Sequence, residues 1–269
     1  MHSPILQSNF RPGDVEIKTP KGKFSFPTMN PFDFPTTKED NTEKIGTLGY
    51  DEILLIRKAV NFVAKDELRP ILICVHIDDH IVGTDASTLA FYKILTPFKD
   101  YLMPSACVPL LDEKEVYTVQ ENEENIFLYG HNETLIHRKI EGLYPNWKQV
   151  IPTDFKANGF VNSEQLAESL NFASGVFENK YQQNVKFNFD FDFTSLDLKA
   201  ECLDNGKKYE TELDLKWQEK SISDLEIKFD VKRLSLILKV EKQEETEFSL
   251  TDFNGATIIN DCIILTPVY

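Results

Sequence analysis

Alternating hydrophobic and polar positions run through much of the chain and predict strands. The clearest run is FNFDFDF, in which Phe187, Phe189, Phe191 and Phe193 fall on one face, because successive side chains of a strand point to opposite sides of a sheet. Similar runs bounded by turn residues predict further strands at residues 71–77, 81–84, 89–95, 106–111, 116–120, 126–129, 134–141, 186–193, 196–203, 209–217, 247–251, 256–259 and 262–267. The chain is therefore expected to be rich in β-sheet.

Three segments show the 3.6-residue period of an amphipathic helix instead. The first covers residues 50–65 and ends before Pro70. The second covers residues 162–177, where Asn162 can cap the first turn. The third covers residues 231–240. The first helix and the second are each followed by several strands, which indicates two similar α+β units, the first without a counterpart of the third helix.

The N-terminal part of the chain has a different pattern. Residues 15–26 form two short alternating runs around PKGK, which predicts a β-hairpin. Residues 27–49 contain three prolines and then a charged run, which predicts an extended linker. The expected division is therefore a hairpin and linker at residues 1–49, one domain at residues 50–152 and a second domain at residues 153–269.

Composition limits the classes of function. The chain has 269 residues and a formal net charge of −15, so a surface that grips nucleic acid all over is not expected, because phosphates would be repelled. No run approaches the roughly 20 apolar residues of a membrane span, and the start lacks the order of a signal peptide. The four cysteines stand singly and are expected to be reduced. We expect a cytoplasmic protein without a membrane segment.

Candidate chemistry is sparse. His76, Asp78 and His80 alternate as metal ligands on a strand could, but a turn at Asp78 would spoil that geometry, so no metal is expected. The carboxylate of Asp85 is expected to cap a turn. The sequence contains no glycine-rich phosphate loop, GxSxG elbow or HExxH pattern. Neither an enzyme nor a cofactor is predicted.

Four segments, in order, resemble the bacterial DNA polymerase III beta subunit, the sliding clamp. They are KGKFSFPTMNPFDFP at residues 21–35, IVGTDASTLA at 81–90, HNETLIHRKIEGLYPNWKQVIP at 131–152 and IILTPVY at 263–269. The resemblance implies an α+β DNA clamp fold, with repeated domains, antiparallel sheets outside and helices facing a central hole. Duplex DNA would pass through that hole without sequence readout.

The chain departs from this family in ways that affect its assembly. Only the last hairpin and linker of the first family domain are recognisable. If two full domains are the repeating unit, six domains would need a homotrimer; a dimer, or a fragment of a longer protein, are the alternatives. The segment from Pro109 to Glu115 is short where the family has a helix facing the DNA, and basic residues on the helices are few.

The resemblance also implies two sets of site residues. The DNA-facing set is Arg57, Lys58, Lys232 and Arg233, which would contact phosphates non-specifically and weakly. The apolar peptide-binding pocket, which in the family receives short segments of polymerases and clamp loaders, would consist of Leu72, Thr84, Ala86, Leu89, Pro145, Val150, Tyr181, Ile264, Leu265, Pro267 and Val268. Ser87, Thr88, Gln149 and Tyr269 stand where the family often has cations, so partner preference is expected to differ.

Two main functions remain open at this stage. The first is a replication processivity factor that encircles duplex DNA and tethers a polymerase, with a clamp loader as a further peptide partner. A closed ring needs no strong affinity for phosphate, which agrees with the acidic charge. The alternative is a clamp-derived module that binds replication-protein peptides without forming a ring, as an adaptor or decoy. A protein that merely preserves the fold is a third possibility.

Overall fold

The structure is a computed structural model that describes residues 7–11, 14–30, 33, 39–66, 68–95, 98–178, 183–190, 194–221, 225–251 and 255–268. It divides into two compact units, Met1–Asn41 and Thr42–Tyr269. Within the described ranges, no helix is long and apolar enough to cross a lipid bilayer.

The first unit contains three antiparallel strands in the order β1-β2-β3. Their bounds are β1 (Gln7–Arg11), β2 (Asp14–Thr19) and β3 (Gly22–Pro27). The pair β2–β3 confirms the predicted hairpin, whose turn is held by a hydrogen bond from the Thr19 hydroxyl to the Gly22 carbonyl (3.1 Å).

The second unit contains two repeats. The first repeat consists of β4 (Glu43–Leu48), α1 (Tyr50–Ala59), β5 (Cys74–Ile77), β6 (His80–Thr84), β7 (Thr88–Lys93), β8 (Tyr101–Pro104), β9 (Tyr117–Glu121), β10 (Asn125–Tyr129) and β11 (Thr134–Arg138). The second repeat consists of β12 (Ala157–Asn162), α2 (Ser163–Ser174), β13 (Asn184–Asp190), β14 (Ser195–Glu201), β15 (Lys208–Lys220), β16 (Leu225–Asp230), α3 (Val231–Glu241), β17 (Glu245–Leu250), β18 (Thr257–Ile259) and β19 (Ile263–Leu265).

The two repeats have the same strand order. In the first repeat the strands run β8-β5-β6-β7 and β4-β9-β10-β11, and in the second they run β16-β13-β14-β15 and β12-β17-β18-β19. In each repeat one helix follows the first strand directly. The predicted repeat of helix and antiparallel sheet is therefore confirmed, and β7 corresponds to β15 as β11 corresponds to β19.

The repeats are joined by sheet pairing. β19 pairs antiparallel with β7, with Ile264 opposite Leu89, and this pairing (the seam) makes one sheet of 12 strands across both repeats. In the second repeat the long β15 pairs first with β14 and then with β12, and so links both sheets of that repeat.

Each of the three predicted helices is present and buries one apolar face. Ile53 and Ile56 of α1, Leu166 and Leu170 of α2, and Leu234 of α3 are fully buried in the main core. The predicted capping of α2 is confirmed, because the Asn162 side chain accepts a hydrogen bond from the Gln165 backbone N–H (2.9 Å).

Several predictions about the elements were wrong. Residues 106–111 are no strand, because Ser105–Leu110 forms a 3₁₀ helix that contains Pro109. The linker predicted at residues 27–49 is too long, because its last residues form β4, which pairs with β9. β8, β12 and β16 were not predicted. The division into domains at residues 49 and 152 stays a prediction, and Phe191 and Phe193 lie outside the described residues.

Candidate peptide groove and DNA-facing helices

A small hydrophobic cluster lies at the seam, separate from the main core. Its buried members are Val82, Leu89, Trp147, Ile258 and Ile264, and Phe91, Tyr144, Ile151 and Ala256 pack against them half-buried. We call this set the seam cluster. It combines strands of both repeats with the segment that ends the first repeat, so a ligand bound here would contact both repeats.

The alternation of β7 and β19 creates this cluster. Along β7, Leu89 belongs to the seam cluster, whereas Ala90 belongs to the main core. Along β19, Ile264 belongs to the seam cluster, whereas Ile263 and Leu265 belong to the main core. Strand side chains alternate between faces, so the two strands supply apolar residues to both sides of the shared sheet.

The turn between β6 and β7 is fixed by side-chain hydrogen bonds. The Asp85 carboxylate accepts from the backbone N–H of Ser87 (2.9 Å) and of Thr88 (2.7 Å), and the Thr84 hydroxyl donates to the Thr88 carbonyl (2.7 Å). The predicted capping role of Asp85 is thus confirmed. Ala86 has a φ of 74°, a left-handed conformation that costs an alanine free energy.

Trp147 is the largest side chain of the seam cluster. Only 5% of it is exposed, and its ring lies 5.1 Å from the ring of His80 and 5.8 Å from that of Phe91. The Lys148 ammonium lies 5.3 Å from the indole centre, within the range of a cation–π contact. Aromatic rings and one cation therefore surround Trp147 at the edge of the seam cluster.

The acidic residues beside Trp147 are already paired with a lysine side chain. The ligand atoms of Asp78, Asp79 and His80 lie within 4.8 Å of one another, but the Lys148 ammonium lies 2.7 Å from Asp79 and 3.5 Å from Asp78. Hydrogen bonds, first from Lys148 and then from His80, lower the pKa of Asp79 strongly. Lys148 thus supplies the positive charge that these carboxylates need. His76 does not join this group of ligand atoms; its Nε2 lies 2.7 Å from Asp100.

The structure brings some of the predicted pocket residues together. Leu89 and Ile264 are in the seam cluster, Thr84 is buried at the adjoining turn, and Leu265 packs in the main core instead, because it lies on the opposite face of β19. Tyr181 lies outside the described residues. The remaining predicted residues are exposed or half-buried: Leu72, Ala86, Pro145, Val150, Pro267 and Val268.

The sequence analysis missed the central aromatic residue. Trp147 lies in the segment LYPNWKQVIP that carried the resemblance, but it has no alternating neighbours to indicate burial. Val82, Phe91 and Ile258 were missed although each lies on a predicted strand, because alternation does not show which of two faces meets a second repeat.

The predicted DNA-facing cations are largely engaged in contacts within the protein. Arg57 forms an ion pair with Glu113 and donates to the Leu111 carbonyl (2.8 Å). Arg233 contacts the carboxylate of Asp85 (2.6 Å) and the hydroxyl of Thr88 (2.9 Å). These contacts reduce the positive charge that the two arginines offer to phosphates. A role of the arginines in DNA binding stays a prediction.

Lys58 belongs to a polar contact between the repeats. Its ammonium lies 3.0 Å from the carboxylate of Glu241, the last residue of α3, whose side chain is only 3% exposed. The Tyr92 hydroxyl donates to the same carboxylate (2.7 Å). Burial and the bonded carboxylate raise the pKa of Tyr92 far above its usual range, so the phenol remains a donor. The side chain of Lys232, in the first turn of α3, is exposed.

Comparisons with known proteins agree with this geometry. No family model matches the sequence. A curated relative, the Beta sliding clamp of Synechococcus elongatus, is 24% identical over 223 residues, which cover 76% of this chain and 58% of the relative. The chain therefore spans little more than half the length of the curated relative it matches.

Solved structures show the fold more clearly. The DNA polymerase sliding clamp of Pseudomonas aeruginosa superimposes with a TM-score of 0.85 at 17% identity, covering 100% of this chain and 78% of that one. A sliding clamp of Bartonella birtlesii, bound to griselimycin, gives a TM-score of 0.83 at 20% identity, covering 95% and 74%. The chain has the fold of bacterial DNA sliding clamps and lacks the equivalent of about a fifth of the longer structure.

Proposed function

We propose that this chain is a DNA sliding clamp that encircles duplex DNA and tethers a polymerase through a peptide bound at the seam cluster. The observation that supports this proposal is the fold. Two repeats of identical strand order are joined through one sheet, and the whole chain superimposes on a bacterial clamp. Clamp-loader peptides are further partners of the same groove. The protein acts by holding its partners together, and no catalytic step is part of the proposal.

Encirclement explains how a protein with so large a negative charge can remain associated with DNA. A formal charge of −15 opposes tight binding to phosphates, but a ring is retained by its topology. Tethering then raises the effective concentration of the polymerase at the template without strong contact between clamp and DNA.

Retention on circular DNA tests encirclement. The purified protein is incubated with a gapped circular plasmid, separated from free protein at high salt by gel filtration, and the complex is then cut with a restriction enzyme. An encircling clamp remains on the circle and is lost after linearisation. Co-elution that is unchanged by cutting, or no retention at all, would contradict the ring.

Peptide binding tests the groove. The probe is a synthetic peptide with leucine and phenylalanine anchors, read through the fluorescence of Trp147 in a Trp217→Phe background. Apolar anchors that fill a preformed groove dominate such contacts. Val150→Asp, at an exposed position beside the cluster, is expected to weaken binding at least tenfold. Val116→Asp, an equally exposed valine on the same repeat, is the matched control; equal loss in both variants would contradict the assigned groove.

One observation favours the alternative of a non-ring module that binds replication-protein peptides. The segment after β8 contacts α1, because Glu113 pairs with Arg57 and the Leu111 carbonyl accepts a hydrogen bond from the same guanidinium. Glu113→Gln frees that guanidinium, and we expect DNA affinity at low salt to rise severalfold if α1 faces DNA, because phosphate contacts are electrostatic. Unchanged affinity would favour the non-ring module.

A further inference from the structure

The sheet face that carries the seam cluster continues into a polar region. Residues that are opposite each other on paired strands lie on the same face of a sheet. The strand pairings place Ile258 of the seam cluster beside Ser249 of β17. They continue from Ser249 to Asn158 of β12 and from Asn158 to Glu219 of β15. One row of side chains thus leads from the seam cluster to polar residues within three strand spacings, about 14 Å.

A bulge brings Glu219 to this face. Trp217 of β15 lies opposite Gly159 and packs against the main core. Simple alternation would turn Glu219 to the core as well, but the register of β12 and β15 shifts between Asn158 and Gly159. An extra residue in one strand re-aims the side chains that follow it. Glu219 therefore lies on the same face as Asn158.

The polar end of the row borders a cavity of about 550 Å³. Asn158, Glu219 and Ser249 line it from the sheet. Phe155, in the loop before β12, and Asp261, in the turn between β18 and β19, line it from the sides. We call the cavity formed by these five residues the flank pocket. It adjoins the seam cluster, because Ser249 is the direct neighbour of Ile258.

The flank pocket contains hydrogen-bonding groups that lack partners. Ser249 is only 5% exposed, and its hydroxyl forms no hydrogen bond with any residue that the structure describes. The Asn158 Oδ1 atom is also buried without a partner in the described part of the chain, whereas its amide nitrogen donates to Glu247 (2.6 Å). Buried polar groups are normally hydrogen-bonded, because an unmade bond costs free energy. Both groups can accept a hydrogen bond from a ligand.

The charge that is left over in the flank pocket is negative. Lys156, which also borders the cavity, is already paired with Asp154 (2.5 Å). The carboxylates of Glu219 and Asp261 form no ion pair with any described residue. The position of Asp261 is fixed by its turn, in which Asn260 and Asp261 have φ values of 53° and 57°, as in a two-residue hairpin turn. The pocket therefore offers two carboxylates to a cation.

These groups together fit the side chain of an arginine. A guanidinium group is positively charged, donates hydrogen bonds without accepting any, and stacks on aromatic rings. Glu219 and Asp261 would compensate its charge, and the Ser249 hydroxyl would accept one of its hydrogen bonds. The ring of Phe155, which is 41% exposed, provides a surface for stacking.

We propose that the flank pocket binds an arginine of the partner peptide whose apolar anchors occupy the seam cluster. The inference rests on the proposed function, because it concerns the same peptide. An extended chain advances about 3.3 Å per residue, so the 14 Å between Ile258 and Glu219 corresponds to about four residues. The preferred partner is therefore a peptide with a basic residue about four positions from its anchors.

Six synthetic peptides test this preference. They share the same apolar anchors and carry arginine, alanine or glutamate four positions before or four positions after them. Dissociation constants are measured on the full chain by fluorescence anisotropy of the labelled peptides. In one of the two positions, arginine is expected to bind about fivefold more tightly than alanine and glutamate more weakly, because partly exposed opposite charges attract modestly. The difference should shrink at high salt.

Neutral variants assign the preference to the pocket. Glu219→Gln combined with Asp261→Asn removes both charges at nearly constant side-chain size, and asparagine tolerates the left-handed backbone at position 261. This double variant should bind the arginine and alanine peptides equally. Glu210→Gln combined with Glu212→Gln changes the net charge by the same amount at exposed positions of β15 outside the pocket, and should keep the preference. Circular dichroism checks that both double variants are folded.

A charge reversal provides a second test. Glu219→Lys combined with Asp261→Asn should bind the glutamate peptide more tightly than the arginine peptide. Equal binding of arginine and alanine peptides to the wild type, an equal loss of preference in the control, or a preference for arginine that survives the reversal would each overturn the flank pocket and leave the groove standing. Failure of all six peptides to bind would instead contradict the proposed tethering, and the flank pocket with it.

Discussion

The two repeats share one strand order but differ in the segment before their last three strands. In the second repeat this segment is α3, an 11-residue helix capped by the Asp230 side chain, which accepts from the Arg233 N–H (2.9 Å). In the first repeat it is the six-residue 3₁₀ helix Ser105–Leu110, preceded by Pro104 and containing Pro109. Proline interrupts helical hydrogen bonding. The difference shows that the sheets define this fold and that the second helix is dispensable to it.

The cores differ as well. In the second repeat Phe187, Phe189, Phe229 and Phe248 form one aromatic cluster, with ring centres 5.3 Å apart for Phe187 and Phe229. The position equivalent to Phe248 in the first repeat is Val119; each lies opposite a glycine of the repeat's first strand. The second repeat thus depends on a few large side chains, and the first on many aliphatic ones.

The largest expected effect comes from removing a member of the aromatic cluster. Phe248→Ala should lower the free energy of unfolding by about 3–5 kcal/mol, because it loses burial and leaves a cavity. Val119→Ala is the matched change and should cost about 2 kcal/mol, since fewer buried carbons are removed. Urea denaturation measures both. Equal losses would mean that the two cores do not differ as described.

The contact between the repeats should give the next largest effect. Lys58→Met leaves the buried Glu241 carboxylate without the ammonium group that lies 3.0 Å from it, and should cost about 1–3 kcal/mol, because a buried charge loses its counter-charge. Lys239→Met, on the exposed side of α3, is the control. A loss no larger than that of the control, measured in urea, would show that this ion pair contributes little.

Capping of α3 should have a smaller effect. Asp230→Ala removes the acceptor for the first turn and should cost about 1 kcal/mol, with faster amide exchange in α3 than elsewhere. Asn162→Ala makes the same change at α2 and should affect α2 alone. Faster exchange throughout the second repeat in both variants would argue against a local role of the caps.

The smallest expected effect is a pH dependence confined to the first repeat. Burial lowers the pKa of His137, whose Nε2 accepts a hydrogen bond from the Tyr101 hydroxyl (2.9 Å) and whose Nδ1–H donates to the Arg138 carbonyl (2.9 Å). Its stabilising contribution is therefore complete above the ordinary pKa of about 6.5 and is lost as pH falls below it, because the unfolded chain binds the proton more readily.

His137→Gln should flatten this dependence, since an amide oxygen can still accept from Tyr101. Melting temperatures between about pH 5 and pH 8 measure the slope, with His131→Gln as the control on the exposed turn. A slope that persists in His137→Gln would assign the pH dependence to other groups.

Local pattern was sufficient to predict much of the fold. Alternation located strands such as β13, β14 and β15, and the ranges predicted for the three helices contain α1, α2 and most of α3. It failed at Ser105–Leu110, where an apolar run between prolines resembles a strand, and at β12, where Gly159 interrupts the alternation. The conformation of both segments depends on contacts with residues distant in the chain, and a local sequence pattern carries no information about those contacts.

The candidate site was predictable only in part, for the same reason. Leu89 and Ile264 were found through the resemblance, but the ion pairs of Arg57, Lys58 and Arg233 join residues far apart in sequence. Whether a surface lysine meets solvent, a phosphate or a buried glutamate is decided by tertiary packing.

The seam has a consequence for how the protein is made. β19 is synthesised long after β7, so a nascent chain presents the edge of β7 and the apolar Leu89 before their covering strand exists. Chains fold progressively from the N-terminus during synthesis, and unpaired strand edges in such intermediates promote aggregation. Joining the repeats also requires closure of a long loop, which slows folding. The pairing that joins strands of both repeats in one 12-stranded sheet therefore leaves the edge of β7 uncovered until β19 has been synthesised.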